Sequence, residues 1–147
     1  MDMTGEQLIP QPQEVTWRAL NDIQVLKACI PGCESIAQIN DNEFEIVMTA
    51  KVGPVSAKFK GSMKLADIVA PQSYRLTFEG QGGVAGFAKG EASVNLTPQD
   101  SATLLNYTAH AMIGGKLAQI GSRLIDGVAK KIAGEFFAKF NEQVSKG

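Results

Sequence analysis

The sequence predicts an α+β fold in which a curved antiparallel sheet of about seven strands packs one face on a long C-terminal helix. Three observations lead there. From Leu117 to Val144 there is no proline, and apolar residues recur every three or four positions, the helical period. From Glu34 to Ile113 apolar and polar residues alternate, the period of half-buried strands. Between a first strand and that region lie two short segments punctuated by Pro10, Pro12 and Pro31-Gly32, which read as short helices.

In chain order, residues 3 to 9 form the first strand. Pro12 suits the first turn of a helix through Glu14, Val15, Trp17 and Leu20. Asn21 or Asp22 caps a second helix, Ile23 to Cys29. A short strand fits Ser35 to Ile39. Five strands with clearer inner sets follow: Phe44, Ile46, Met48, Ala50, Val52; then Val55 to Leu65 by twos; then Tyr74, Leu76, Phe78; then Ala88 to Leu96 by twos; then Leu105 to Ile113 by twos. In the second of these, Ser56, Lys58, Lys60, Ser62 and Lys64 alternate onto the other face, so the sheet is buried on one side only. Gly53-Pro54, Gly80 to Gly86 and Pro98 to Ser101 supply turns.

The final helix has an apolar row at Ile120, Leu124, Val128, Ile132, Phe136, Phe140 and Val144, every fourth residue. At about 100° per residue such a row drifts by roughly 40° per step, so it winds around the helix. Leu117, Ile120, Leu124 and Val128 therefore face one way and Phe137, Phe140 and Val144 another. The first half is expected to close a cavity, with Gly114-Gly115 as its hinge. The last turns are expected to pack on the short helices near Trp17 or to reach a partner or membrane through Phe136, Phe137 and Phe140.

Pairing the strands across their turns sets Ala88 opposite Ala111 and Gly90 opposite Ala109. Phe78 then falls near Ala88 and Gly61, and Leu76 near Gly90. Gly61, Ala88, Gly90, Ala109 and Ala111 thus gather on the buried face and leave volume there. Either the helix packs close, or an apolar ligand cavity exists, with Phe44, Met48, Phe59, Met63, Tyr74, Phe78 and Tyr107 as walls and Leu117, Ile120 and Leu124 as cover. Methionines on the wall suit a pocket that adapts to its contents.

Several function classes lose support. A net charge of −1 argues against nucleic acid. No apolar stretch spans a membrane, and no secretory start is seen, so a cytoplasmic location is expected. Cys29 and Cys33 are the only cysteines and His110 the only histidine, too few for a four-ligand metal site of Cys and His. Gly80 to Gly86 lacks the Gly-Lys-Ser/Thr ending of a phosphate loop. Lys51, Lys58, Lys60 and Lys64 read as a solvated face, with Glu43 and Glu45 across from Lys64 and Ser62. No nucleophile has an adjacent base, the inner face offers only Tyr74, Tyr107 and Thr103 as polar groups, and no catalytic residue is assigned.

The run from Val15 to Asp22 with Trp17, followed by Leu26, Cys29, Ile30, Pro31, Gly32 and Cys33, resembles the carbon monoxide dehydrogenase G-subunit family. So do Lys51 to Val55 with Gly53-Pro54, Phe59 with Gly61, and later Thr103 to Tyr107, Gly121 to Arg123 and Phe136-Phe137. The resemblance covers nearly the whole chain and implies one helix-grip (START-like) domain over 1–147. It also implies a non-catalytic accessory protein serving a molybdenum-containing carbon monoxide dehydrogenase or a related hydroxylase. A quinone or lipid is the ligand it implies, with no covalently bound cofactor, and the protein is expected at the inner face of the cytoplasmic membrane. Many members carry a C-terminal extension suited to membrane attachment. Here the chain ends at Gly147, which moves the expectation toward ligand carriage or protein docking.

Overall fold

A computed structural model describes residues 1–146; the expectation tied to the chain end at Gly147 lies outside them. The elements are β1 (Asp2–Ile9), α1 (Gln13–Leu20), α2 (Ile23–Cys29), β2 (Cys33–Asn40), β3 (Glu43–Val52), β4 (Val55–Val69), β5 (Ser73–Gln81), a 3-10 turn (Gly83–Ala85), β6 (Phe87–Gln99), β7 (Ala102–Gly114), α3 (Lys116–Gln119) and α4 (Ser122–Lys146). The seven strands make one antiparallel sheet in the order β1-β7-β6-β5-β4-β3-β2. This is the predicted architecture: two short helices after the first strand, then consecutive hairpins, then a long helix on the sheet.

Local chemistry accounts for the element boundaries. Pro12 precedes α1 as its N-cap, where its missing N–H costs nothing. Of the two candidate caps for α2, Asp22 is used: its carboxylate accepts from Gln24 N–H at 2.9 Å. Two buried hydroxyls are satisfied near this junction: Thr16 donates to the Pro12 carbonyl at 3.0 Å and Thr103 to the Gln11 carbonyl at 2.7 Å.

The strand register departs from the expected pairing by two residues at each of three hairpins. Ala88 lies opposite Ile113, and Gly90 opposite Ala111. Phe78 lies opposite Gly90, and Met63 opposite Phe78. The cause is in the turns. Between β6 and β7 the ladder runs through Pro98↔Thr103 and Gln99↔Ala102, so only Asp100 and Ser101 turn the chain. Asp100 takes φ +57, a left-handed conformation that aspartate tolerates better than most residues. Pro98, expected in the turn, is accommodated in β6 beyond the last β5 pair, Ser73↔Asn95, where β6 has a neighbour on one side only.

The C-terminal helix is not one continuous rod from Leu117. It breaks after Ile120 at Gly121, whose φ of +100 suits glycine alone. The break resets the helical phase, and α4 then runs 25 residues. Within it Gly127 and Gly134 face open space, with nothing within 4 Å of a Cβ built on either. Gly127→Ala and Gly134→Ala are each expected to raise unfolding free energy by about 0.5–1 kcal/mol in urea titrations. A neutral or destabilising result would mean the helix needs those glycines for another reason.

The last turns of α4 pack on α1, α2 and the adjoining part of the sheet, the first of the two alternatives stated for them. Phe140 is 0% exposed and Phe137 9%. They share a core with Ile9, Leu20, Cys29, Tyr74, Val94, Leu96, Leu105 and Val144, with Trp17 and Phe136 packed against it. Phe136 stacks on Phe140 with centroids 5.9 Å apart, and Tyr107 stacks on Phe137 at 5.6 Å. This corrects the assignment of these phenylalanines to a partner or membrane contact. Phe137 and Phe140 are inside because the winding row meets α2 and the β1–β7 side of the sheet on that face.

Candidate functional site

With the register set by the real turns, one row of residues crosses five strands on the inner face: Ile46, Gly61, Gly80, Ala88 and Ile113. Its middle three members carry no side chain beyond a methyl. The row is the floor of a cleft of about 300 Å³ beneath the first half of α4. Met48 and Phe59 bound it on one side, Met63 and Phe78 on the other. Ile125, Val128, Ala129 and Ile132 of α4 roof it, with Leu117, Val52 and Met1 at its margins. Ser62 and Glu79 border it as well, but strand alternation turns their side chains to the opposite face. Its lining is therefore almost wholly apolar, and its volume is at the lower end of small-molecule sites.

Seven of the fifteen residues expected in a cavity line this cleft: Met48, Phe59, Gly61, Met63, Phe78, Ala88 and Leu117. The other eight do not. Phe44, Gly90 and Ala111 lie one row further along the strands, in the row of Met63 and Phe78. Gly90 is small for another reason: a Cβ there would collide with the His110 carbonyl. Ala109 pairs with Ala92 and Met3, another row away. Tyr74 and Tyr107 belong to the main core, where Trp17 meets Tyr74 edge-on at 5.4 Å and the Tyr107 ring covers Gly5. Burial pushes the Tyr74 phenol well above its usual range, so it stays neutral. Ile120 and Leu124 pack instead on the β3–β4 turn. A Cβ built on Gly53 would lie 2.5 Å from Leu124 Cδ2 and 3.4 Å from Ile120 Cγ2.

The other lining residues, of which only Val128 belongs to the helix face expected as a lid, still carry a signal in the sequence. Ile125, Val128, Ala129 and Ile132 occupy positions i, i+3, i+4 and i+7, one face of a helix started afresh at Ser122. Ile46, Ile113 and Val52 belong to the expected inner sets, and Gly80, expected in a turn, lies in β5. Met1 has no such signal, since its place depends on β1 lying beside β7.

Elsewhere the chemistry is sparse. Both cysteines are free; Cys29 is fully buried, and desolvation pushes its thiol and that of Cys33 upward, which disfavours the thiolate. His110 lies on the outer face with its Nδ1 against the Asp2 carboxylate, whose pKa that bond and charge lower. Glu91 pairs with His110 across the strands but its carboxylate is engaged by Arg75 at 2.8 Å. Glu43 and Glu45 do stand opposite Lys64 and Ser62, and Lys64 approaches Glu43 at 4.0 Å. Among the described residues, no group of three or more His, Cys, Asp and Glu side chains is placed to hold a metal ion.

Solved structures share this architecture. The chain is 33% identical to a conserved protein from Geobacillus kaustophilus, over 99% of this chain and 96% of that one, with a TM-score of 0.94. A START superfamily protein from Mycobacterium smegmatis superposes with a TM-score of 0.72 at 12% identity, covering 99% and 97% of the two chains. The Zhui aromatase/cyclase from Streptomyces sp. R1128 gives 0.71 at 9% identity, covering 99% and 94%. At such identities these last two share the fold alone, a START-like helix-grip. No curated protein matches. The family model for the carbon monoxide dehydrogenase G subunit (CoxG) matches residues 5–145, which takes in every strand lining the cleft and nearly all of α4, and the chain belongs to that family.

Proposed function

We propose that this protein is a non-catalytic carrier of an apolar small molecule, a quinone or a lipid, acting as an accessory to a molybdenum-containing hydroxylase of the carbon monoxide dehydrogenase kind. The observation that carries this reading is the cleft itself. It has a floor of Gly61, Gly80 and Ala88, walls of Phe59, Phe78, Met48 and Met63, and no acid or base directed into it. Such a lining holds a ligand by excluding water from apolar surface and has nothing with which to move a proton. A fold neighbour is named as an aromatase/cyclase, and an enzyme of that kind would call for polar groups inside. Here both inner-face tyrosines belong to the main core instead.

The test is direct. Protein purified without detergent is extracted with organic solvent and the extract analysed by mass spectrometry, in parallel with calorimetric titration of a short-chain quinone and of a fatty acid. Trp17 sits in the main core beside Tyr74, so calorimetry is preferable to tryptophan quenching. A stoichiometric apolar compound, or saturable binding of one probe class, is expected. An empty extract together with no saturable binding of either probe would overturn the carrier reading.

A further inference from the structure

We propose that the cleft is the middle of a channel crossing beneath α4. Its ligand is an amphiphile whose uncharged, oxygen-bearing head lodges at Lys131 and Glu135 on the β3 flank and whose chain leaves past Ser122 on the β7 flank. This rests on the carrier reading and adds to it the orientation of the ligand and the residues that meet its two ends.

The cleft does not close on either side of the helix. On the β3 flank Met48, Val128 and Ile132 line it and also line a second hollow of about 400 Å³, which runs out between α4 and the Pro31-Gly32 loop. On the β7 flank Ile113 and Ile125 line both the cleft and a third hollow of about 490 Å³, bordered by Ala118, Ser122 and Asp126. The same side chains face the adjoining spaces, so no layer of side chains separates them. A cleft of about 300 Å³ encloses only part of a long-chain molecule, and the two hollows hold the rest.

The helical period sorts the polar groups of α4 to the two flanks. At about 100° per residue, Ile125, Ala129 and Ile132 point onto the floor, Lys131 and Glu135 fall roughly 80–120° to one side, and Ser122 and Asp126 roughly 60–100° to the other. Lys131 and Glu135 are one turn apart and exposed, and among the described residues neither is in an ion pair. Together they offer a donor and an acceptor with no net charge. An uncharged head with oxygen acceptors, such as the carbonyls of a quinone, accepts from the ammonium. A carboxylate head meets Glu135 as well and gains less. On the other flank the Asp2 carboxylate is engaged by His110 and the Met1 amine by the Ala111 carbonyl, which leaves a hydroxyl at Ser122 and a carboxylate at Asp126. That carboxylate repels oxygen acceptors, while Ala118, Ile113 and Ile125 beside it offer a chain an apolar path.

Calorimetric titration with three probes tests it: a benzoquinone carrying a decyl chain, the same quinone carrying an ethyl chain, and decanoic acid. Lys131→Met should weaken both quinones about fivefold, the loss of one hydrogen bond from a charged donor at a partly wet site. Lys130→Met removes the same charge from the adjacent, outward position and should change neither. Ser122→Phe should weaken the decyl quinone about tenfold, as displacing two methylenes would, and leave the ethyl quinone within about twofold. Decanoic acid should bind more weakly than the decyl quinone, and Glu135→Gln should tighten it about threefold. Lys131, Glu135 and Ser122 are exposed, so thermal midpoints should stay at the wild-type value; Ser122→Leu replaces the phenylalanine variant if its midpoint falls. Quinone binding that ignores Lys131→Met, or a Ser122→Phe change that weakens both quinones alike, overturns the crossing arrangement and leaves the carrier reading standing. Decanoic acid binding more tightly than the decyl quinone overturns the uncharged head. No saturable binding of any probe overturns the carrier reading and this orientation with it.

Discussion

Gly80→Leu is expected to weaken binding of the apolar ligand roughly 70-fold while the protein folds as before. Gly80 lies at the centre of the cleft floor, paired with Gly61 on one side and Ala88 on the other. A Cβ built there meets only the Ala88 carbonyl, at 4.0 Å, an ordinary contact. Its strand position suits a side chain, so the isobutyl group points into the cleft with nothing to displace but solvent or ligand. If it removes about 100 Å² of ligand contact, the loss is on the order of 2.5 kcal/mol, roughly 70-fold in Kd. Gly61→Leu would be a poor substitute. A Cβ at Gly61 would stand 2.7 Å from the Glu79 carbonyl oxygen, and the sheet itself would have to move. The comparison to make is calorimetric affinity for the probe that binds wild type, alongside the thermal midpoint. An unchanged Kd in a well-folded Gly80→Leu protein would place the ligand somewhere other than this floor.

Phe140→Ala is expected to destabilise the protein by about 3–5 kcal/mol, in the range for removing a large aromatic ring from a core. In a chain of this size each kcal/mol lowers Tm by roughly 2–4 °C, so a fall of about 6–20 °C should be seen by calorimetry. The ring is completely buried and stacked on Phe136, in a cluster with Ile9, Cys29 and Leu105. The cavity left behind is enclosed by α2, β1 and β7 as well as α4, so collapse can relieve little of it. A residue acting only as a partner contact would give no such change. A Tm within about a degree of wild type would mean the second half of α4 is not the structural anchor.

These two residues also show where sequence pattern is sufficient and where it is not. The element order and the choice of face for almost every strand residue are legible, because side-chain direction alternates with a period of two and is decided locally. A slip of one residue would turn every apolar side chain to water, so the pattern forbids it. A slip of two keeps every face correct, and the pattern is blind to it. That is the difference at all three hairpins, and it is why pattern alone puts Gly90 and Ala109 in the cavity where Gly80 and Ile113 belong. Turn length decides the register, and Asp100 in a two-residue turn carries little sequence signal beyond Asp itself.

The helix repeats the lesson with another period. Spacing alone reveals a winding apolar row and the division of labour between its two halves. It does not reveal the break at Gly121, because glycine in a helix and glycine at φ +100 are spelled alike. Once the phase restarts, Ile125, Val128, Ala129 and Ile132 replace Ile120 and Leu124 as the roof. The sequence by itself determined the fold class, the inner face of the sheet, the apolar character of the interior and the scarcity of catalytic groups, since all of these follow from local periodicity and composition. Only the tertiary structure decided which small residues share a row, which helix face covers them and which phenylalanines are interior. Those depend on turn lengths, helix phase and the packing of elements distant in the chain.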